Sequence, residues 1–278
     1  MRVLGAGIRR SDRRFGARAV LLAVALGLAA VPFLTLWLLV VDHSPGLQRI
    51  DDVARDDLHS YALGHPNLVT TMRALSFIGS GFVWWVVFVP LVGWLFWRRL
   101  PRLAAFVAIT PLLSSVLNST VKALVHRARP VLSDPIAHAP GASFPSGHAQ
   151  SAIVGYGVLL LVFMPVLRGL WRRVAVIVAV GLVLAIGLSR VTLGVHYVSD
   201  VTAGYVLGAA WLTGMTAVFS AWRRERGRPG VRPGRGLEPE QAPHLGATCC
   251  LSSNTQRIGT ADQFRNRSDY SWMRIRSL

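Results

Sequence analysis

Three groups of polar residues, far apart in the chain, carry the side-chain types and spacings needed to handle an anion. Lys122, Arg129 and Pro130 form the first, in the pattern K-x6-R-P. Lys122 and Arg129 are seven residues apart, two helical turns, and share a helix face if the helix continues that far. Pro130 opposes this by disfavouring the helical region at Arg129. Lys122 is the only lysine in the chain, against 29 arginines, which points to a need for a flexible point charge at that position. The second group is Pro145-Ser146-Gly147-His148, at the head of a long apolar run. Ser146 suits an N-cap, and Gly147 leaves the backbone open to close approach. The free N–H groups of such a helix start bind anions, with His148 alongside. The third group is Ser189-Arg190, His196 and Asp200, spelling S-R-x5-H-x3-D. His196 and Asp200 are spaced i and i+4, so on a helix they can meet. A carboxylate on one ring nitrogen sets the tautomer and leaves the other nitrogen free as base or nucleophile. Arg190 adds a planar fork suited to phosphate.

Each group on its own has a plainer explanation. The two cations of the first are equally compatible with snorkelling to lipid headgroups. Pro-Ser-Gly is ordinary turn chemistry, and a His–Asp pair at a membrane surface is usually a capping ion pair. What links the groups is the set of elements that must carry them. Six apolar runs, at 19–41, 74–97, 103–121, 149–167, 174–189 and 201–222, are near the length that crosses a hydrocarbon core. The first is too long for a signal-peptide core and five more follow it, so it reads as a retained helix. Of 30 basic residues, 23 fall before the first run, in the second and fourth connections, or after the last run. By the positive-inside rule these segments are cytoplasmic, as are both termini. The odd-numbered connections then face out, and all three polar groups fall on that one extracytoplasmic side.

Composition agrees. The chain has 278 residues, 52% hydrophobic and only 15% charged, where a soluble domain carries about 25%. The net charge of +17 lies mainly in the segments that set topology, so nucleic acid is not the expected partner. The two cysteines, Cys249 and Cys250, exclude a disulfide framework and a multi-thiolate zinc site. No carboxylate cluster suits magnesium, and neither a Walker loop nor a dinucleotide fingerprint occurs, so no metal and no cofactor is expected. The expected architecture is all-α: a basic N-terminal segment (1–18), a six-helix membrane domain (19–222) and a disordered cytoplasmic tail (223–278) rich in Arg, Gly, Pro and Ser. In the 42–72 connection, Ile50, Val53, Leu58 and Tyr61 recur at helical spacing; a surface amphipathic helix and a solvated loop helix both fit. Oligomeric state has no signature in the sequence.

Together the three groups resemble the tripartite signature of the type 2 phosphatidic acid phosphatase superfamily, K-x6-R-P, P-S-G-H and S-R-x5-H-x3-D. All eleven specified positions are filled, in order and with matching spacing. The resemblance implies a multi-pass cell-membrane phosphatase acting on a phosphate ester or diphosphate of a membrane lipid, without metal. It assigns His196 as a nucleophile forming a phosphohistidine, Asp200 as its orienting partner and His148 as general acid. Lys122, Arg129, Arg190, Ser146 and Gly147 would hold the phosphate, their fixed positive charge stabilising the reacting oxygens. Phosphatidate-like lipids and undecaprenyl diphosphate are both compatible substrates. The alternatives are a lipid transporter that uses the cations only to hold a headgroup, and an inactive membrane partner. The phosphatase reading requires His196 within about 10 Å of Arg129.

Overall fold

A computed structural model describes residue 27 and residues 30–245; the basic segment 1–18, Cys249 and Cys250 lie outside the described residues. Among the described residues the fold is all-α with no named strand. The helices are α1 (Ala30–Val41), α2 (Pro45–Leu63), α3 (Pro66–Ile78), α4 (Gly81–Trp97), α5 (Pro101–Val125), α6 (Gly147–Phe163), α7 (Leu170–Thr192) and α8 (Val198–Glu225). Two 3-10 turns (Pro233–Arg235 and Pro239–Gln241) and a short α9 (Ala242–Leu245) follow. Helix α6 packs against α4, α5, α7 and α8.

Three helices, α5, α7 and α8, are each long and apolar enough to cross a membrane. Two bent pairs also qualify when each is taken as one span, α1 with α2 at 93° and α3 with α4 at 41°. Helix α6 is apolar but shorter, at 17 residues. The bundle turns large apolar side chains outward, among them Phe82, Trp85, Trp97, Leu124, Ile177 and Leu184. Residues this apolar and this exposed along several helices belong against lipid rather than water.

The apolar run expected at 74–97 is not one helix. It breaks at Gly79-Ser80, where the Ser80 side chain accepts the N–H of Val83 and caps α4. The helix also does not continue far enough for Lys122 and Arg129 to share a face. Helix α5 stops at Val125 because His126 turns left-handed, with φ 49°, so Arg129 belongs to the following connection. The fifth apolar run stays helical through Arg190 to Thr192. Gly194 then takes a positive φ of 73°, which glycine adopts without strain, and a Cβ there would push on the Leu132 side chain. His196 accordingly stands just ahead of α8 and not on it, and Asp200 reaches back across the helix start.

The expected tail boundary at 222/223 is corrected as well. Helix α8 runs on to Glu225, and residues 226–245 fold over the end of the bundle. Leu237 is fully buried, and its N–H bonds to Leu161 O at 3.0 Å. Arg223, 2% exposed, pairs with Glu240 at 2.7 Å and Glu238 at 3.4 Å. An Arg-rich segment is held here because carboxylates and two leucines come with it. Residues 246–278 lie outside the described residues.

Candidate active site

The polar groups meet at one end of the bundle, where α5 and α7 finish and α6 and α8 begin. Its centre is His196, 2% exposed. The ring Nδ1 faces Asp200 Oδ2 at 3.3 Å, and Nε2 lies 3.1 Å from Arg129 Nη1. A guanidinium can only donate, so Nε2 is the accepting nitrogen and the proton sits on Nδ1, toward the carboxylate. Asp200 Oδ2 also accepts the N–H of Tyr197 at 3.0 Å, which holds the carboxylate across the start of α8.

Asp200 is itself braced. Its Oδ1 accepts from Arg127 Nη1 at 2.6 Å, and the other arm of Arg127 donates to Asp51 Oδ2 on α2 at 2.8 Å. Asp51 closes the network by accepting the Ser199 N–H at 2.9 Å and the Ser199 hydroxyl proton. Both carboxylates are buried, Asp51 at 1% and Asp200 at 0% exposed. One cation bridging two buried carboxylates is the arrangement such burial demands. Burial opposes the charge on Arg127, but Asp200 and Asp51 outweigh it and hold its pKa above the ordinary value. The Arg127 guanidinium also lies over the Tyr197 ring, 4.2 Å from its centroid.

The cations of the three groups surround this centre. Arg129 spends all five of its N–H groups: on Gly141, Pro140 and Ala142 carbonyls, on Val195 O at 2.8 Å, and on His196. Lys122 donates to Ala142 O at 2.6 Å. Arg190 donates one arm to Ser76 on α3, and its buried Nε has no partner among the described residues. His148 lies within electrostatic range of Arg190, His196, Arg129 and Lys122. Ser146 caps α6, its N–H bonded to Asp200 O at 2.9 Å and its hydroxyl facing the Ala149 N–H at 3.5 Å. The N–H groups of Gly147 and His148 have no acceptor among the described residues. This helix start can approach α8 because Gly204 faces it: a Cβ there would lie 2.6 Å from Ser146 O. The described residues include no gathered set of three His, Cys, Asp or Glu side chains.

Two hollows are lined in part by residues of the site, one by His148 and one by Arg129. One, of about 530 Å³, runs between α4, α5 and α6 from His148 and Asn118 down to Trp84, Phe88 and Val107. The other, of about 510 Å³, lies beyond Arg129 and is lined by Pro130, Leu132, His138 and Gly194.

The three sequence groups include neither Arg127 nor Asp51. Arg127 stands two residues before Arg129, which is the only local signal; Asp51 has none, since its partners are 76 and 148 residues away. A helix expected in 42–72 is present as α2, with Ile50, Val53 and Tyr61 turned outward and Asp51 and His59 turned in.

Burial pushes His196 down to about 4, helped by Arg129 and Arg190 and opposed by the hydrogen bond and charge of Asp200. The ring is therefore neutral, with Nε2 unprotonated, around neutral pH. Nitrogen NMR of histidine-labelled protein is expected to show no His196 titration between pH 5 and 8; a midpoint near the ordinary value of about 6.5 would contradict the burial described. Asp200→Asn is expected to move the midpoint lower still, because the carboxylate is what raises it.

A family model described as the PAP2 superfamily matches residues 102–224, which contain every residue of the three groups. The chain is 41% identical over 96 residues to phosphatidylglycerophosphatase B of Bacillus subtilis, a stretch covering 34% of this chain and 46% of that enzyme. The match thus spans about half of that relative's length. It is 30% identical over 155 residues to decaprenylphosphoryl-5-phosphoribose phosphatase of Mycobacterium tuberculosis, covering 55% of this chain and 81% of the relative. The crystal structure of a transmembrane PAP2-type phosphatidylglycerolphosphate phosphatase from Bacillus subtilis superposes with a TM-score of 0.60 at 25% identity, over 68% of this chain and 94% of that one. With outward-facing apolar helices, the polar convergence around His196 and a relative matched over most of its length, this membrane protein belongs to the PAP2 superfamily.

Proposed function

We propose that the protein is an integral membrane lipid phosphate phosphatase that works through a phosphohistidine on His196. The observation that carries this reading is the environment of Nε2: an unprotonated lone pair against Arg129, with Arg190 in electrostatic range and close to His148, which lines a cavity with a polar head and an apolar floor. A phosphate monoester entering the cup exchanges for the carbonyls that now occupy Arg129, and draws that guanidinium off Nε2. Arg190 Nε and the N–H groups of Gly147 and His148 supply donors that have no other partner. The Nε2 lone pair then attacks phosphorus in line. The P–O ester bond breaks and its electron pair goes to the leaving oxygen, which takes a proton from His148, the ring having received that proton from the monoprotonated phosphate as it bound. Asp200 stabilises the ring as it becomes positive, and Arg127 keeps the carboxylate in place. In the second half, neutral His148 takes a proton from water, the water oxygen attacks phosphorus, the P–N bond breaks and phosphate leaves.

The basic connections 98–100 and 164–169 lie at the end of the bundle opposite the site. Six spans with both termini in the cytoplasm put the site on the extracytoplasmic face. A lipid can then keep its chains among the helices while its headgroup enters the cup. Phosphatidate-like lipids, phosphatidylglycerol phosphate and undecaprenyl diphosphate all meet these demands. The test is phosphate release by purified protein in detergent and in liposomes, from each of these lipids, with excess chelator. Release that survives chelation is expected for at least one of them. Tight binding of every lipid with no phosphate released from any would overturn the proposal and favour headgroup transport.

A further inference from the structure

The cavity beside His148 has a feature that phosphate chemistry leaves unused. Its upper wall carries two buried amides, Asn118 and Gln150, beside Ser114, Ser115 and Ser151, above an apolar floor. Their hydrogen bonds have one direction only. Gln150 Nε2 donates to Ser114 O at 2.9 Å and Ser114 Oγ at 2.8 Å, so its donors are spent. Gln150 Oε1 must then accept, and it does so from Asn118 Nδ2 at 2.8 Å. This fixes which way the Asn118 amide is turned. One N–H and the carbonyl oxygen of Asn118 remain, and no described residue meets them. The amide also sits directly beneath the phosphate cup. A Cβ on Gly147 would lie 3.2 Å from Asn118 Oδ1, and Gly147 immediately precedes His148. From Asn118 to Val107 the cavity descends eleven residues of α5, roughly 16 Å at helical rise, into apolar surroundings.

A polar side chain among apolar helices costs free energy unless something uses it. Helix packing accounts for one N–H of Asn118 and leaves the rest facing the cavity. Resting on the phosphatase reading above, we infer that Asn118 is a specificity subsite for an acyl-ester carbonyl held just behind the scissile phosphate. Glycerol-based lipids place an ester carbonyl a few bonds from their phosphate, whereas a polyprenyl phosphate offers only hydrocarbon there. The free N–H of Asn118 donates to that carbonyl, and the acyl chain continues down past Phe88 and Val107. The protein thus favours a diacylglycerol phosphate headgroup over a polyprenyl one.

The experiment compares 1,2-diacyl glycerol phosphate with its 1,2-dialkyl ether analogue, which differs only in lacking the carbonyls. Phosphate release is measured for the wild type, Asn118→Leu, Asn118→Ala and Ser114→Ala. The wild type is expected to favour the ester in kcat/KM by about tenfold, the weight of one hydrogen bond. Both Asn118 variants should bring the ratio to about one through loss on the ester alone, while Ser114→Ala, which loosens the same helix contact without touching the amide, keeps it. Equal use of ester and ether by the wild type, or a preference retained in the Asn118 variants, overturns the inference. If the variants do not fold, the wild-type ratio decides alone. Affinities for non-hydrolysable ester and ether phosphonates separate this inference from the reading beneath it: ester preference in binding without any phosphate release sinks the phosphatase and leaves the subsite.

Discussion

His196→Ala is expected to lower phosphate release by about 10⁴-fold or more, the scale seen when a covalent nucleophile is removed. The reasoning is geometric. His196 is the ring with one nitrogen facing Arg129 at 3.1 Å and a carboxylate behind the other, and a cationic cup without that nitrogen binds phosphate without cutting it. Binding of a lipid phosphate should therefore survive in His196→Ala while turnover vanishes. His148→Ala separates the two half-reactions. With an alkyl leaving group the loss should be about 10²–10⁴-fold, as for other general acids. With a p-nitrophenyl ester, whose leaving group needs no proton, the first step should recover and labelled phosphate should accumulate on the protein. Acid-labile, base-stable label on a peptide containing His196 is the expected product. Label on any other residue, or full turnover by His196→Ala, would show the assignment to be wrong.

The second large effect concerns Arg127. Removing it by Arg127→Ala leaves Asp51 and Asp200 buried with no cation between them, and breaking such a group by deleting one partner costs about 3–5 kcal/mol. Activity should fall with stability, because Asp200 loses the contact that holds it against His196. The double variant Arg127→Ala with Asp51→Asn is expected to be more stable than Arg127→Ala alone, since one of the stranded charges is gone. This non-additivity is the mark of a direct contact. Thermal unfolding in detergent, measured for both single variants and the double, checks it. Strictly additive losses would mean that Asp51 and Arg127 stand independently, and that α2 does not help position the nucleophile.

The contrast between Arg127 and Arg129 shows where sequence reasoning ends. Arg129 was legible because its spacing to Lys122 and its place before Pro130 form part of a pattern. Arg127 differs from it by two positions and by nothing that local chemistry can see. What singles it out is Asp51, on a helix that turns Ile50, Val53 and Tyr61 outward and whose acidic residues look, in one dimension, like those of any solvated helix. The i, i+4 spacing of His196 and Asp200 was likewise read as a helical pair. The contact is real, but it is made across a helix start, because Gly194 ends the previous turn and Asp200 caps the next. In the same way Lys122 and Arg129 come together around the 139–144 backbone and not along a helix face.

Composition and apolar runs, read along the chain, determined that this is an all-α protein built to sit in lipid, and the spacing of three motifs determined which residues belong to one chemistry. Both are properties of nearest neighbours and of period, which a linear string records faithfully. Tertiary structure alone decided that α2 supplies a carboxylate to the site, that the 226–245 segment closes over the far end, and that Asn118 faces the cavity beside His148. Those outcomes depend on which buried charges and amides find partners after the helices pack, and a partner up to 148 residues away leaves no trace in local periodicity.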